Sequence, residues 1–212
     1  MKKGLEDAYS LKTPDDSIKL YKVWASTYDN DFATKNDYRS PEEIVKYYCK
    51  YSNNSDTPIL DVGAGTGLIG ERLREEGTWK IDAIDISSEM LDKAKLKKVY
   101  SGFILADLTK KLDVIQNHYG AIVSAGTFTH GHVGPGVFEE LLRILKPGGL
   151  FIVTIHTGVF HSQGFKHKLY ELRKLISTPV FHEVNVYGNN EDKRHGDDKV
   201  IVTVFRKKTL WI

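Results

Sequence analysis

The stretch Ile59-Leu60-Asp61-Val62-Gly63-Ala64-Gly65-Thr66-Gly67-Leu68 decides the fold of this chain. A short apolar segment leads to an acid, three glycines follow at alternate positions, and apolar residues at helical spacing then continue to Gly77. This order predicts a strand, a tight turn and a helix. Glycines in the turn permit backbone angles that other residues avoid, so a ligand can lie against the main chain. A purely structural turn is the alternative.

Two classes of ligand are compatible with this glycine turn. Residues 65–70 fit the fingerprint of dinucleotide-binding folds, and Asp85 lies about 20 residues downstream, where those folds place a ribose-binding acid. Asp61 argues against a dinucleotide, because its charge would repel a pyrophosphate beside the end of the strand. A cofactor with a cationic amino-acid end and no phosphate is therefore favoured.

Two helices are expected before the first strand. Residues 1–16 are polar and predicted to be irregular, with Pro14 closing them. Apolar residues then recur at helical spacing over 18–32. The sequence Ser40-Pro41-Glu42-Glu43 predicts the start of the second helix, with Ser40 as its cap.

Strands and helices alternate along the rest of the chain. Helices are predicted after Ser87 and over 137–145 and 165–176, and residues 125–136 are predicted to form a loop. Later strands are predicted at 80–85, 99–105, 119–124, 150–155, 180–187 and 199–206, the last two as an antiparallel hairpin. The chain is therefore predicted to be an α/β protein. Its Rossmann-like sheet has seven strands, mostly parallel with the last antiparallel, and carries helices on both faces.

Acidic residues follow three successive predicted strands. They are Asp61, Asp85 and Asp107. Because parallel strands end at the same edge of a sheet, where ligands bind, we expect the three carboxylates to lie close together. One such acid alone would be interpreted as a helix cap. Three of them at successive strand ends indicate a binding site.

Several motifs resemble one enzyme class. The turn Asp61-x-Gly63-x-Gly65-x-Gly67 closely resembles the cofactor turn of class I S-adenosylmethionine (SAM)-dependent methyltransferases. Lys146-Pro147-Gly148-Gly149-Leu150 and the closing hairpin are similar to later parts of that fold. The motifs Tyr21-x-x-Trp24-Ala25-x-x-x-Tyr28-Asp29 and Tyr38-Arg39-x-Pro41 resemble the Williams–Beuren-region methyltransferase-like proteins, whose substrate is not established. Ala64 stands where many relatives carry cysteine.

The resemblance implies SAM as cofactor and assigns its contacts. Asp61 is expected to meet the ammonium group and Asp85 the ribose hydroxyls. Asp107 and the Leu108 amide are expected at the adenine edge, and Ile86 and Met90 at its faces. The remaining expected contacts are Gly63, Ala64, Gly65 and Ser124, with Tyr21 and Tyr28 closing over the cofactor beside Trp24. Residues 1–55 are then an N-terminal helical lid and 56–212 the methyltransferase domain.

Two histidines in the predicted loop 125–136 are candidate catalytic bases. His130 and His132 are chosen because histidine is the usual base near pH 7, and His130 is preferred because it lies nearer the strand end. A surface or structural role for either is the alternative. A zinc site would need His156 or His161 as a third ligand, and no metal is expected.

The acceptor is expected to be a small molecule, with a protein side chain as the second choice. Cytosine C5 methylation needs a cysteine nucleophile, and Cys49 lies in a predicted helix outside the sheet. A net charge of +2 predicts no nucleic-acid partner. The single cysteine and the absence of a membrane-spanning or signal segment predict a cytoplasmic chain with no membrane contact.

Two hypotheses from other classes stay open at this point. One is a SAM-binding module without efficient catalysis, because the sequence offers no unmistakable base. The other is a nicotinamide oxidoreductase, which Asp61 and the closing hairpin disfavour. The oligomeric state is not indicated by the sequence.

Overall fold

The architecture is a seven-stranded sheet between layers of helices. A computed structural model describes residues 7–8, 10–11, 13–188 and 197–209. The strands are β1 (Ile59–Val62), β2 (Ile81–Asp85), β3 (Gly102–Leu105), β4 (Tyr119–Phe128), β5 (Leu145–His156), β6 (Val180–Asn185) and β7 (Lys199–Arg206). Their order is β3-β2-β1-β4-β5-β7-β6. The pairings among β1–β5 are parallel, and β7 runs antiparallel to both β5 and β6. The predicted fold class is confirmed.

The helices connect these strands and precede the first of them. They are α1 (Pro14–Trp24), α2 (Ser40–Tyr51), α3 (Leu68–Glu76), α4 (Ser88–Leu96), α5 (Val137–Ile144), α6 (Thr157–Phe160) and α7 (Phe165–Glu171). A π-helix covers Asp29–Thr34, and a 3-10 turn covers Leu172–Lys174. In the described part of the chain, no helix is both long and apolar enough to cross a bilayer.

Side-chain alternation divides the core between the two faces of the sheet. On β5, Phe151 and Val153 belong to the cluster that includes α5 and α7. Leu150 and Ile152 belong instead to the cluster that includes α2 and α3. Successive strand residues point to opposite faces, so an apolar run such as β5 is buried on both sides.

Strands β4 and β5 are longer than the sequence predicted, β5 because it already begins at Leu145. Strand β4 continues past Ser124 to Phe128, which pairs with Ile155 after a register shift. Gly126 has a φ of +77° within the irregular part of β4, where glycine tolerates the bend. The first four residues of the predicted loop 125–136 are therefore strand, and the loop itself is shorter.

The N-terminal predictions need correction at three points. Pro14 begins α1 instead of closing an irregular segment, because Thr13 forms a capping box with Asp16. Arg39, not Ser40, is the N-cap residue of α2, and no side chain caps that helix. The single helix expected over 18–32 is broken after Trp24. The apolar spacing persists because the Phe32 ring, in the π-helix, still lies 5.3 Å from that of Trp24.

The N-terminal segment packs against the sheet at β6 and β7. Leu20, Trp24 and Phe32 form one buried cluster with residues of that hairpin, namely Val186, Tyr187 and Val200. This packing brings α1 and the π-helix to the end of the sheet where β1 and β2 finish.

Candidate active site

A cavity opens at the carboxyl ends of β1, β2 and β4, where the strand order reverses between β1 and β4. Ligands of open α/β sheets bind at such a switch point. The cavity measures about 780 Å³ with its open mouth included. It is lined by Pro14, Ser17, Tyr21, Tyr28, Gly63, Gly65, Asp85, Ile86, Met90, Asp107, Leu108, Thr109, Ala125, Gly126, Thr127, His132 and Val133.

Gly63 and Gly65 form the floor of this cavity for steric reasons. Both have positive φ, +66° and +56°. A side chain at Gly63 would collide with Thr127, whose Oγ1 would lie 2.0 Å from the added Cβ. In front of Gly65 there is open space within 4 Å. The turn therefore exposes main chain to a ligand, as the glycine pattern predicted.

Asp85 lies at the end of β2 and holds the turn in place. Its Oδ2 accepts a hydrogen bond of 2.8 Å from the Gly65 amide, and its Oδ1 accepts one of 2.8 Å from the Ser87 amide. Burial raises the pKa of the Asp85 carboxyl, and these amide bonds oppose the shift. Each carboxylate oxygen can accept a second bond, so Asp85 can hold the turn and still bind a ligand hydroxyl.

Asp61 is fully buried at the end of β1 and is not among the described residues that line the cavity. Its Oδ2 accepts a hydrogen bond of 2.6 Å from the Tyr100 hydroxyl. Its Oδ1 has no hydrogen-bond partner among the described residues. The contact between Asp61 and a ligand ammonium stays a prediction, and the unpaired oxygen fits a donor arriving from the cofactor. Tyr100 is a residue that the sequence analysis did not find.

Asp61 is expected to make stability depend on pH. Burial raises the pKa of its carboxyl from 3.8 to about 7, with the hydrogen bond from Tyr100 opposing the shift. The folded state holds the Asp61 proton more tightly than the unfolded state. The contribution of this proton to the free energy of unfolding is therefore complete below pH 4 and is lost as the pH rises through 7. Urea unfolding of the wild type between pH 4.5 and 8 should show this decline, with a slope approaching roughly 1 kcal/mol per pH unit.

The matched variant is Asp61→Asn, which keeps the shape and the acceptor for Tyr100 but does not ionise. Its unfolding free energy should change less over the same range. Parallel curves for the two proteins would contradict the prediction.

The predicted adenine contacts all line this cavity. Ile86 and Met90 lie there with Asp107 and Leu108. Asp107 Oδ1 accepts hydrogen bonds from the amide and hydroxyl of Thr109, at 2.9 and 2.7 Å. These local bonds fix the carboxylate and leave its Oδ2 available to other groups. The Nζ of Lys110 lies 3.6 Å from this Oδ2.

Two predicted contacts lie behind the cavity wall. Ala64 and Ser124 are buried and are not among the described lining residues. The Ser124 hydroxyl donates a bond of 2.6 Å to the Val62 carbonyl oxygen and lies 2.9 Å from the Thr127 hydroxyl. Ser124 therefore supports Thr127, which does line the cavity.

His132 lines the cavity and is held by two hydrogen bonds. Its Nδ1 lies 2.9 Å from the carbonyl oxygen of His130, and its Nε2 lies 2.8 Å from the Tyr21 hydroxyl. Since a carbonyl only accepts, Nδ1 carries the proton and Nε2 accepts from Tyr21. Burial lowers the pKa of His132, so its imidazole is neutral near pH 7.

His130 packs beside His156, away from the described lining of the cavity. Its ring packs against His156, with the ring centroids 4.7 Å apart, and it is not among the described residues that line the cavity. Within the described ranges, no cluster of three His, Cys, Asp or Glu side chains could hold a metal ion.

A second cavity adjoins the first on the side of the N-terminal segment. Tyr21, Tyr28, Gly126 and His132 line both cavities. Trp24, expected to close over the cofactor, lines the second cavity only. The wall between the two spaces therefore contains the candidate base and two tyrosines.

Asp29 ties the N-terminal segment to the glycine turn. Its Oδ1 accepts a short hydrogen bond from the Thr66 hydroxyl, and its Oδ2 lies 2.8 Å from Lys97 Nζ on the far side. Lys97 also pairs with Glu71 on α3. In the sequence, Asp29 stands out only as part of the motif that begins at Tyr21, and nothing in its spacing indicates this contact.

Comparisons with known proteins agree with this geometry. Residues 59–149 match the family described as "Methyltransferase domain". The human protein "Methyltransferase-like protein 27" is 34% identical over 151 residues, which are 68% of this chain and 60% of that protein. The chain thus spans less than two thirds of the length of this curated relative.

Solved structures share the fold at low sequence identity. A Haemonchus contortus phosphoethanolamine N-methyltransferase 2, in complex with phosphomonomethylethanolamine and S-adenosylhomocysteine, has a TM-score of 0.65 and 14% identity, over 93% of this chain and 59% of that one. The [4+2]-cyclase SpnF has a TM-score of 0.69 and 16% identity, over 94% of this chain and 98% of that one. At these identities the likeness shows the fold alone.

Proposed function

We propose that this chain, which matches the methyltransferase-domain family over residues 59–149 and is similar to a human methyltransferase-like protein, is a class I SAM-dependent methyltransferase that transfers a methyl group from SAM to a small molecule. One observation carries the proposal. Of the twelve residues expected from the sequence to bind the cofactor, nine line a single cavity at the switch point. These nine are Tyr21, Tyr28, Gly63, Gly65, Asp85, Ile86, Met90, Asp107 and Leu108.

The residues of the first cavity have the chemistry that SAM requires. When bound, SAM supplies a methyl group carried on a positively charged sulfur. Asp85 would accept from the ribose hydroxyls, and Asp107 with the Leu108 amide would bind the adenine edge. The glycine turn would receive the amino-acid end. Tyr21 and Tyr28 would lie near the sulfonium, since an aromatic face attracts a cation.

The second cavity is the proposed acceptor site. It adjoins the first through Tyr21, Tyr28, Gly126 and His132. Methyl transfer needs the acceptor atom about 3 Å from the methyl carbon and in line with sulfur, and this wall is where two ligands in adjacent cavities would meet. A small molecule is favoured because the cavity is compact, about 560 Å³ with its open mouth included. A protein side chain is the alternative acceptor.

His132 is the proposed base for an acceptor that carries a proton. Its Nε2 carries a lone pair that accepts a hydrogen bond from Tyr21, which is also part of the wall between the cavities. The preference for His130 drawn from the sequence stays a prediction, and its position beside His156 favours His132 instead.

Methyl transfer itself tests the proposal. The protein would be incubated with methyl-labelled SAM and a small-molecule extract of cells, and the labelled product identified by mass spectrometry. Label should enter a low-molecular-weight compound. Label confined to protein would support the side-chain alternative, and label in neither fraction would contradict the proposed activity.

Asp85 is expected to be required for cofactor affinity. Replacing it by alanine removes the ribose acceptor and leaves the part-buried Gly65 amide without its partner. S-Adenosylhomocysteine binding should weaken by about 1–3 kcal/mol, as measured by calorimetry. NAD should not bind to the wild type, because no Lys or Arg lies among the described residues of the first cavity to meet a pyrophosphate.

A surface acid provides the control for that variant. Asp92 lies on α4, and its side chain is largely exposed. Replacing it by alanine should leave the affinity for S-adenosylhomocysteine unchanged. Equal affinities for SAM and NAD would overturn the cofactor assignment.

The N-terminal segment is expected to act as a lid. Support comes from Tyr21 and Tyr28, which line the first cavity, and from Asp29, which contacts Thr66. Amide exchange in residues 17–38 should therefore slow when SAM is added. Asp29→Asn should reduce that protection, because the amide offers a weaker acceptor to Lys97. Unchanged exchange in the wild type would make this segment plain scaffold.

A SAM-binding module without efficient catalysis is the second candidate function. The Tyr21 hydroxyl occupies the lone pair of His132, so the base is not free unless Tyr21 moves. The structural likeness to a cyclase also means that this fold by itself does not imply methyl transfer. The division into a lid (1–55) and a methyltransferase domain (56–212) and the cytoplasmic location both stay proposals.

A further inference from the structure

Aromatic side chains form the largest group in the lining of the second cavity. Of its sixteen described lining residues, seven are Phe, Tyr or Trp, and none is Asp, Glu, Lys or Arg. The first cavity, by contrast, contains the carboxylates of Asp85 and Asp107. The seven aromatic residues are Tyr21, Trp24, Tyr28, Phe32, Tyr38, Phe128 and Tyr187. The two cavities therefore offer different chemistry to their ligands.

These rings hold one another in fixed positions. The Phe32 ring lies 4.9 Å from that of Tyr28, 5.2 Å from that of Tyr38 and 6.1 Å from that of Tyr187, measured between centroids. Such tilted and edge-to-face contacts are favourable and restrict ring motion. The face of an aromatic ring carries negative potential and attracts a cation most strongly where water is excluded.

Four titratable side chains that line the second cavity are uncharged near pH 7. Burial raises the pKa of Tyr38 to about 12 and raises those of Tyr21 and Tyr28 as well. Burial lowers the pKa of His132. An anionic ligand would therefore find no cationic partner among them, and no Lys or Arg lies among the described lining residues. A cationic ligand would meet aromatic faces and tyrosine oxygens.

From the ring lining and the absence of Asp, Glu, Lys and Arg side chains in its described part, we infer that the second cavity binds a small organic amine and that this amine accepts the methyl group. The inference rests on the proposed function. An amine that enters protonated first releases a proton to solvent or to Nε2 of His132. Its nitrogen lone pair then forms a bond to the methyl carbon as the carbon–sulfur bond breaks, and that bonding pair stays on sulfur.

Charge balance explains why the shared wall is aromatic. The positive charge passes from sulfur to nitrogen, so a cation exists on one side of the wall before transfer and on the other side afterwards. Tyr21 and Tyr28 line both cavities and can attract the cation on either side. A carboxylate in the second cavity would hold the charged product more strongly and slow its release.

Two ligands of equal shape test the inference on protein saturated with S-adenosylhomocysteine. Choline carries a quaternary nitrogen where 3,3-dimethyl-1-butanol has a carbon, so the pair differs in charge and scarcely in size. Calorimetry should show choline binding at least about tenfold more tightly, within the range of desolvated cation–π contacts. Equal or stronger binding of the neutral compound would overturn the inference, as would binding of neither.

Variants at Tyr38 test whether the choline preference arises in the second cavity. Of the two cavities, Tyr38 lines only the second. Tyr38→Leu removes the ring and should reduce the choline preference to less than about threefold, whereas Tyr38→Phe keeps the ring and should retain it. Phe32→Leu serves the same purpose if Tyr38→Leu does not fold. An undiminished preference in a folded variant without the ring would overturn the assignment to this cavity.

Cofactor binding and methyl transfer separate this inference from the proposed function. Failure of the wild type to bind S-adenosylhomocysteine would contradict the proposed function itself. Labelled SAM should methylate members of a small-amine panel and spare matched alcohols and carboxylates. Transfer to alcohols or carboxylates alone, or to a lysine peptide and no free amine, would overturn the inference while methyl transfer stands.

Discussion

Replacing His132 by alanine is expected to lower kcat by about 10²–10⁴, the usual contribution of a general base. The Nε2 atom of His132 carries the basic lone pair and accepts from the Tyr21 hydroxyl at the wall between the cavities. Its Nδ1 is held by the His130 carbonyl oxygen. S-Adenosylhomocysteine affinity should stay within a few-fold, since Asp85 and the glycine turn remain intact. Steady-state kinetics with the identified acceptor and calorimetry together check both statements.

Variants at Tyr21 and His130 test whether His132 is the base. Tyr21→Phe removes the hydroxyl that occupies Nε2 and keeps the ring. If Tyr21 relays the proton, this change and His132→Ala should each lower kcat, and the double variant should lose little more, because residues that act as a unit are not additive. If Tyr21 only blocks the base, kcat should rise. A large loss in His130→Ala with an active His132→Ala would instead support the preference drawn from the sequence.

The cofactor end of the site follows from local sequence. A glycine turn after a strand, with Asp85 and Asp107 after the next two strands, determines which backbone and carboxylate groups meet, because parallel strands end at one edge. The positions of Gly63, Gly65 and Asp85 at one cavity agree with that expectation. Such information is available from the sequence because the turn geometry is local and each acid directly follows its own strand.

The acceptor end was not predictable in the same way. The bond between Tyr21 and His132 joins residues 111 positions apart, and it depends on how α1 packs over the sheet. Strand β4 extends to Phe128 through a register shift between Ser124 and Phe128, so the loop that carries the two histidines begins later than the sequence predicted. The burial of Asp61 against Tyr100 likewise arises only from packing between distant elements.

The Arg206–Asp56 pair is a further long-range contact, and its loss is expected to have the largest effect on stability. Arg206 Nη1 and Nη2 donate to the two Asp56 oxygens, each at 2.8 Å. The same guanidinium donates to the carbonyl oxygens of Gly148 and Tyr51 at 2.8 and 2.7 Å. The Asp56 side chain is fully buried. One interaction thus joins the end of α2, the bend in β5 and the final strand.

Asp56→Ala is therefore expected to lower the free energy of unfolding by about 3–5 kcal/mol, the usual effect of removing one partner from a buried ion pair. The guanidinium loses its counter-ion, and the Asn53 amide loses its acceptor, which lies 2.7 Å away. Urea unfolding should show a lower midpoint with an unchanged slope. Asp92→Ala breaks an exposed pair with Lys95 and should cost less than about 1 kcal/mol. A cost for Asp56→Ala no larger than for this control would mean that solvent at the partly exposed Arg206 side chain replaces the pair.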